Sequence, residues 1–215
     1  MFSTILFDID GTIIDTEDVI ISSLQEALAQ VTGRAYTHAE LRFSLGIPSA
    51  ETIADLKLPA DQSAAVKKLW PELLAKKQRD VRVFATMRQT MSHLQHRGIR
   101  MGIITSKNEP ELEHEFNRFG LNDYFDVIVT AQPGIKPKPA GDPITAALRQ
   151  LGSSKDKSLY LGDSIYDMQS AHNAGISFAL ATWGAYDLSR FEDAEYMLTR
   201  PETLLDLAPI GQEAF

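Results

Sequence analysis

Cysteine is absent from the 215-residue chain, which excludes a disulfide framework, a thiolate zinc site and a cysteine nucleophile together. Basic residues are in the minority: 21 Lys plus Arg face 29 Asp plus Glu, a formal charge of −8. That balance disfavours duplex nucleic acid and anionic membranes as partners. The opening residues MFSTILFDID lack a basic segment and reach Asp8 after a short apolar run, too short for a signal peptide or a membrane span. The expectation is a cytoplasmic protein with no nucleic-acid or membrane partner. Small anions stay open, because a metal ion and a few Lys or backbone N–H groups can reverse the potential locally.

What is present reads as two kinds of pattern. Ile5, Leu6 and Phe7 follow one another within Thr4 to Ile9, as in a strand buried on both faces of a parallel sheet. From Thr16, expected as an N-cap, helical spacing takes over through Ile20, Leu24, Ala27, Leu28 and Val31, and Gly33 ends it. Between Thr37 and Asp80 only helical patterns occur: Ala39 to Phe43, Ser49 to Leu56 and Asp61 to Lys77. Afterwards strands are expected at Arg100–Thr105, Phe125–Thr130, Ser158–Gly162 and Ser177–Ala181, with helices between them and an edge strand at Glu195–Thr199. A last helix is expected at Pro201–Leu207. This alternation predicts an α/β fold, a doubly wound parallel sheet over 1–15 and 81–215, with a small all-α domain, 16–80, inserted after the first strand.

Open parallel sheets bind ligands beyond the carboxyl ends of their strands. Four such ends carry chemistry. Asp8-Ile9-Asp10-Gly11-Thr12 places two carboxylates on one side by period-2 alternation, although Asp-Gly-Thr alone reads as a turn. Thr105-Ser106-Lys107-Asn108 offers hydroxyls ahead of a helix, where plain N-capping is the simpler explanation. Lys136-Pro137-Lys138-Pro139 stiffens a loop around a lysine that can neutralise phosphoryl charge, and composition does not say which lysine points inward. Gly162-Asp163-Ser164-x-x-Asp167 contains a capping box at Ser164 and Asp167, and leaves Asp163 for an oxygen-rich site suited to Mg²⁺.

Taken together, and in this order, the four motifs resemble those of the haloacid dehalogenase superfamily over essentially the whole chain. The helical insert is similar to the cap of phosphoglycolate phosphatases and β-phosphoglucomutases. The resemblance implies that Asp8 attacks phosphorus to give an aspartyl-phosphate, while Asp10 protonates the leaving alkoxide and then activates water. It implies Mg²⁺ as cofactor, held by Asp8, the backbone carbonyl of Asp10, and Asp163. Thr105, Ser106 and Lys136 are implied to hold the phosphate, with Asp167, Gly11 and Thr12 in support.

Asp10 favours phosphoryl chemistry over dehalogenation, and the stretch after the motif lacks the His that the mutases carry. The expected substrate is a small phosphate monoester, phosphoglycolate first. A pyrophosphatase, a sugar-phosphate phosphatase or mutase, a phospho-accepting receiver and a binding module are the alternatives. Substrate choice is expected in the insert, around Arg42 to Ser49 and the hinge near Asp15 and Thr16, with Gly46-Ile47-Pro48 read as a helix breaker in preference to a substrate-facing turn. The five His show no metal-ligand spacing, and Trp70 and Trp183 read as packing residues. A monomer or weak homodimer fits equally well.

Overall fold

A computed structural model describes residues 1–47 and 49–208. Pro48 of the Gly46-Ile47-Pro48 breaker lies outside the described residues. The chain divides into two compact units, one of Met1–Ile14 with the chain from Val83 onward, the other Asp15–Arg82.

The first unit opens with β1 (Thr4–Phe7), every residue of which is buried. The chain leaves this unit through β2 (Ile14–Asp15), a two-residue strand that the sequence pattern does not reveal. Next come α1 (Glu17–Thr32), α2 (His38–Leu41), α3 (Ser49–Asp55) and α4 (Ala60–Lys77), which make up the second unit. Ile21, Leu24, Ala27 and Leu28 of α1 form its core with Leu41, Ile53, Val66, Trp70 and Leu73, so one helical stripe pairs with others at matching period. Inside that core the Trp70 indole N–H donates to Ser23 Oγ at 3.0 Å, satisfying two buried polar groups. Thr16 stands at the N-cap of α1 but makes no side-chain cap bond, whereas Gly33 ends the helix in the left-handed region as expected.

The chain returns through β3 (Arg82–Val83), which pairs with β2. It then runs α5 (Met87–His96), β4 (Arg100–Ile104), α6 (Glu109–Glu115), β5 (Val127–Val129), α7 (Asp142–Leu151), β6 (Ser158–Gly162), α8 (Ile165–Ala174), β7 (Ser177–Ala181) and β8 (Tyr196–Leu198). Two expected helices are shorter or tighter than their patterns. The one after β4 stops at Glu115 and gives way to a 3₁₀ turn, Asn117–Phe119, and Pro201–Asp206 is 3₁₀ throughout.

Six strands form one parallel sheet in the order β5-β4-β1-β6-β7-β8. The order reverses direction at β1, since β4 and β5 extend on one side and β6, β7 and β8 on the other. A crevice therefore opens at the carboxyl end of β1. Register aligns the strand ends: Phe7 pairs with Ile103 and with Leu161, so the residues following each strand emerge at one level. The sheet is anchored by fully buried Ile5, Leu6 and Phe7, and truncating Leu6 to Ala is expected to cost about 2–5 kcal/mol.

Candidate active site

Asp8, first residue past β1, is buried, and its N–H donates to Leu161 O at 2.9 Å, continuing the ladder. Asp163, just past β6, is buried beside it, and Asp167 on the first turn of α8 is fully buried. One oxygen from each of these three carboxylates lies within 4.8 Å of the others. The capping box at Ser164 is present, and it has a second use. Asp167 Oδ2 accepts from Ser164 N and Oγ, which aims Oδ1 away from the helix toward the site.

That Oδ1 meets a lysine. Lys138 Nζ lies 2.7 Å from Asp167 Oδ1 and 2.8 Å from Asp8 Oδ1, with its side chain 7% exposed. Lys136, the lysine expected here, is exposed. The correction has a physical origin in how the loop is tied down. Asn173 Nδ2 donates to Pro139 O at 2.9 Å and Ser170 Oγ to Ala140 O at 2.7 Å, both from α8. The residue immediately before those anchors is the one delivered to the carboxylates that α8 and β1 present. Beneath it, the fully buried Tyr160 hydroxyl lies 2.8 Å from Asp167 Oδ1, 3.2 Å from Lys138 Nζ and 3.1 Å from Ile104 O.

Thr12 donates to Asp163 Oδ1 at 3.1 Å, and its own carbonyl accepts from the Trp183 indole at 3.0 Å. Gly11 has φ +75°, and a Cβ there would stand 2.2 Å from Asp163 Oδ2, so neither backbone nor space admits a side chain. Thr105 is buried, and its Oγ1 accepts from Lys107 N at 3.1 Å; Ser106 is exposed. The cap of α6 is Asn108, in a reciprocal box with Glu111. Thr105 is thus spared that duty.

Asp10 stands apart from the three-carboxylate cluster. Its Oδ2 is 2.9 Å from Lys107 Nζ, which also contacts Glu115. Four contributors escape sequence reasoning: Tyr160, Lys107, Glu115 and Trp183 as a loop anchor. Tyr160 and Glu115 lie in ordinary strand and helix patterns, so composition offers no signal for them. Lys107 directly follows the Thr105-Ser106 hydroxyls and is the one of the four that position could have flagged.

Electrostatics bind the cluster into one system. Burial pushes the Asp8 carboxyl up to about 7, with Lys138 opposing the rise and Asp167 and Asp10 adding to it. Asp163 is likewise raised well above the usual carboxylate range, by burial and then by Asp167 and Asp8. Burial alone lowers the proton affinity of Lys138, yet Asp167 and Asp8 outweigh it, so the ammonium is held charged. Lys138 pairs with two of the three buried carboxylates, Asp8 and Asp167. Asp8 Oδ2 and Asp163 Oδ2 accept no hydrogen bond from any described residue, whereas both oxygens of Asp167 are engaged. An all-oxygen donor set with surplus negative charge and an unengaged oxygen on Asp163 fits a hard divalent cation such as Mg²⁺.

Residues 5–181 match the family model described as haloacid dehalogenase-like hydrolase. The chain belongs to the haloacid dehalogenase-like hydrolases. Among relatives of this hydrolase, a pyrophosphatase PpaX from Bacillus velezensis is 28% identical, with 97% of each chain covered. Another from Bacillus pumilus is 31% identical over 84% of this hydrolase and 83% of the relative. A predicted phosphoglycolate phosphatase from Haemophilus somnus superposes with a TM-score of 0.85 at 19% identity, covering 96% and 97% of the two chains. At that identity the likeness shows the fold of this hydrolase alone. Among the described residues no helix is long and apolar enough to cross a membrane.

Proposed function

We propose that this hydrolase is a Mg²⁺-dependent phosphatase that transfers the phosphoryl group of a small, diffusible substrate through Asp8. The observation that carries the reading is the asymmetry of the Asp8 carboxylate: Oδ1 is held at 2.8 Å by Lys138, and Oδ2 is unengaged. A nucleophile needs that arrangement, one oxygen fixed and the other available.

In the first step Asp8 Oδ2 forms a bond to phosphorus as the bond to the leaving oxygen breaks, and that oxygen takes a proton from Asp10. In the second step Asp10 accepts a proton from water, the water oxygen bonds to phosphorus, and the Asp8–phosphorus bond breaks to release phosphate. Lys138 stays protonated throughout and draws negative charge from the phosphoryl oxygens, its position set by Asp167 and Tyr160. Thr105, just past β4, is assigned to the phosphate as a donor through its hydroxyl. Asp8 and Asp163 would hold Mg²⁺, which supplies charge neutralisation between an anionic nucleophile and an anionic substrate.

A phosphate monoester is the first substrate reading, and inorganic pyrophosphate the second. The second is favoured by the whole-length similarity to pyrophosphatases, 28% over 97% of both chains. The test is phosphate release from phosphoglycolate, sugar phosphates, an aryl phosphate and pyrophosphate, ranked by kcat/KM with Mg²⁺ and with chelator. Release abolished by chelator and by Asp8→Asn is expected. Undiminished turnover in Asp8→Asn refutes the nucleophile assignment.

A further inference from the structure

Asp10 is gripped by a second ammonium, separate from the Lys138 cluster. Lys107 Nζ lies 2.9 Å from Asp10 Oδ2 and contacts Glu115 Oε2, with the Lys107 and Glu115 side chains 14% and 16% exposed and that of Asp10 28% exposed. The other oxygen, Asp10 Oδ1, is buried and has no hydrogen-bond partner. Three segments converge here: the loop after β1, the link from β4 to α6, and the last residue of α6.

A shielded ion triad of this kind is a poor stabilising device, because desolvating three charges offsets most of their attraction. Its consequence for geometry is larger. The carboxylate torsion of Asp is broad and roughly two-fold, so an unpaired carboxylate presents either oxygen over a wide range of angles. A lysine, with a flexible stem, cannot fix that torsion unless its own end is held. Glu115 holds it. The Asp10 carboxylate is therefore held in one orientation by an ammonium whose own end is fixed.

We infer that Lys107, secured by Glu115, is a positioning residue for Asp10: by holding Oδ2 it fixes the torsion at which the carboxyl group meets the leaving group. The inference rests on reading Asp10 as the proton donor of the first step and acceptor of the second. The proton leaves the Asp10 carboxyl group for the departing oxygen as the phosphorus–oxygen bond breaks, and a proton from water returns to it in the second step. Lys107 itself exchanges no proton and touches no substrate atom.

The test compares an aryl phosphate, whose leaving group departs unprotonated, with an alkyl phosphate, which requires the proton. Wild type, Lys107→Met, Lys107→Arg, Glu115→Gln, Asp10→Asn and the Lys107→Met/Asp10→Asn double variant are assayed for kcat and KM, with thermal melting as the folding control. Lys107→Met is expected to lower kcat on the alkyl ester about tenfold more than on the aryl ester, a part of the ~10²–10⁴ that a positioned acid supplies, with KM unchanged. Lys107→Arg is expected to restore part of that loss, Glu115→Gln to show a smaller loss of the same kind, and the double variant to be no slower on the alkyl ester than Asp10→Asn.

Equal loss on both esters in Lys107→Met, or an effect on KM alone, overturns the inference while leaving the phosphatase reading in place, provided Asp10→Asn still discriminates between the esters. If Asp10→Asn fails to discriminate, the acid role and the inference fall together. Should Lys107→Met not fold, Glu115→Gln decides by the same comparison.

Discussion

Lys138 Nζ sits 2.8 Å from Asp8 Oδ1, and the same ammonium reaches Asp167 on the far side at 2.7 Å. One cation thereby orients the candidate nucleophile and compensates part of a buried negative cluster. Lys136, two residues earlier in the same Pro-stiffened loop, has neither role.

Replacing Lys138 by Ala is therefore expected to lower kcat/KM on an aryl phosphate by about 10²-fold or more, on the scale of losing one fixed charge-stabilising donor. Lys136→Ala is expected to stay within about twofold, as surface changes away from a site generally do. Steady-state kinetics on the two variants side by side check this, and a larger loss at Lys136 contradicts the geometry.

The raised Asp8 carboxyl gives a pH dependence of stability with a definite sign. The folded value is about 7 and the ordinary one 3.8, so the fold binds the proton more tightly than the unfolded chain. Stability from this group is present below about pH 4 and is lost as pH rises toward 7. In chelator, melting temperature is expected to fall across that window, and Asp8→Asn, which carries no charge there, is expected to flatten the fall. A wild-type melting curve unchanged from pH 5 to 8 counts against it.

Divalent cation should act in the opposite direction. Mg²⁺ binds carboxylates in their ionised form, and a ligand that binds the folded state stabilises it by mass action. The increase in melting temperature on adding millimolar Mg²⁺ is expected to be larger at pH 8 than at pH 6. An equal shift at both values, or none in the wild type, removes the support for a cation at Asp8 and Asp163.

Two glycines around the Asp8–Thr12 loop are expected to be intolerant. Gly11→Ala puts a Cβ 2.2 Å from Asp163 Oδ2 in a positive-φ residue, and Gly184→Ala puts one 1.9 Å from Gly11 O. Forcing such contacts commonly costs about 1–3 kcal/mol and shifts the backbone. Chemical denaturation should show that loss for both, with activity falling further for Gly11→Ala because Asp163 must move.

Tyr160→Phe removes one hydroxyl beneath Lys138 and Asp167 without changing shape. A net loss of about 1–3 kcal/mol is expected, since a buried charged acceptor loses a donor. Activity is expected to drop several-fold with KM little changed, because Lys138 loses its floor. Unfolding curves and kinetics on the one variant separate the two effects.

The amino-acid sequence by itself determined the strands of the six-stranded sheet and what stands at their ends. A continuous apolar run such as Ile5-Leu6-Phe7 suits a strand in a sheet covered on both faces, and period 2 then points Asp8 and Asp10 to one side. Parallel pairing follows from strands alternating with helices, and the observed order about β1 brings Asp8, Thr105 and Asp163 to one level.

Tertiary structure alone decided which charges meet. Local pattern does not register that Asn173 and Ser170 tie down Pro139 and Ala140, and so it misplaces the lysine by two residues. Nor does it register that Glu115 and Asp10 share Lys107, or that Tyr160 supports Lys138. Strand and helix periods propagate position along a few residues, whereas a long lysine stem is placed by partners far away in the chain. The acids at the strand ends were therefore legible in the sequence, and the ammonium groups that orient them required the fold.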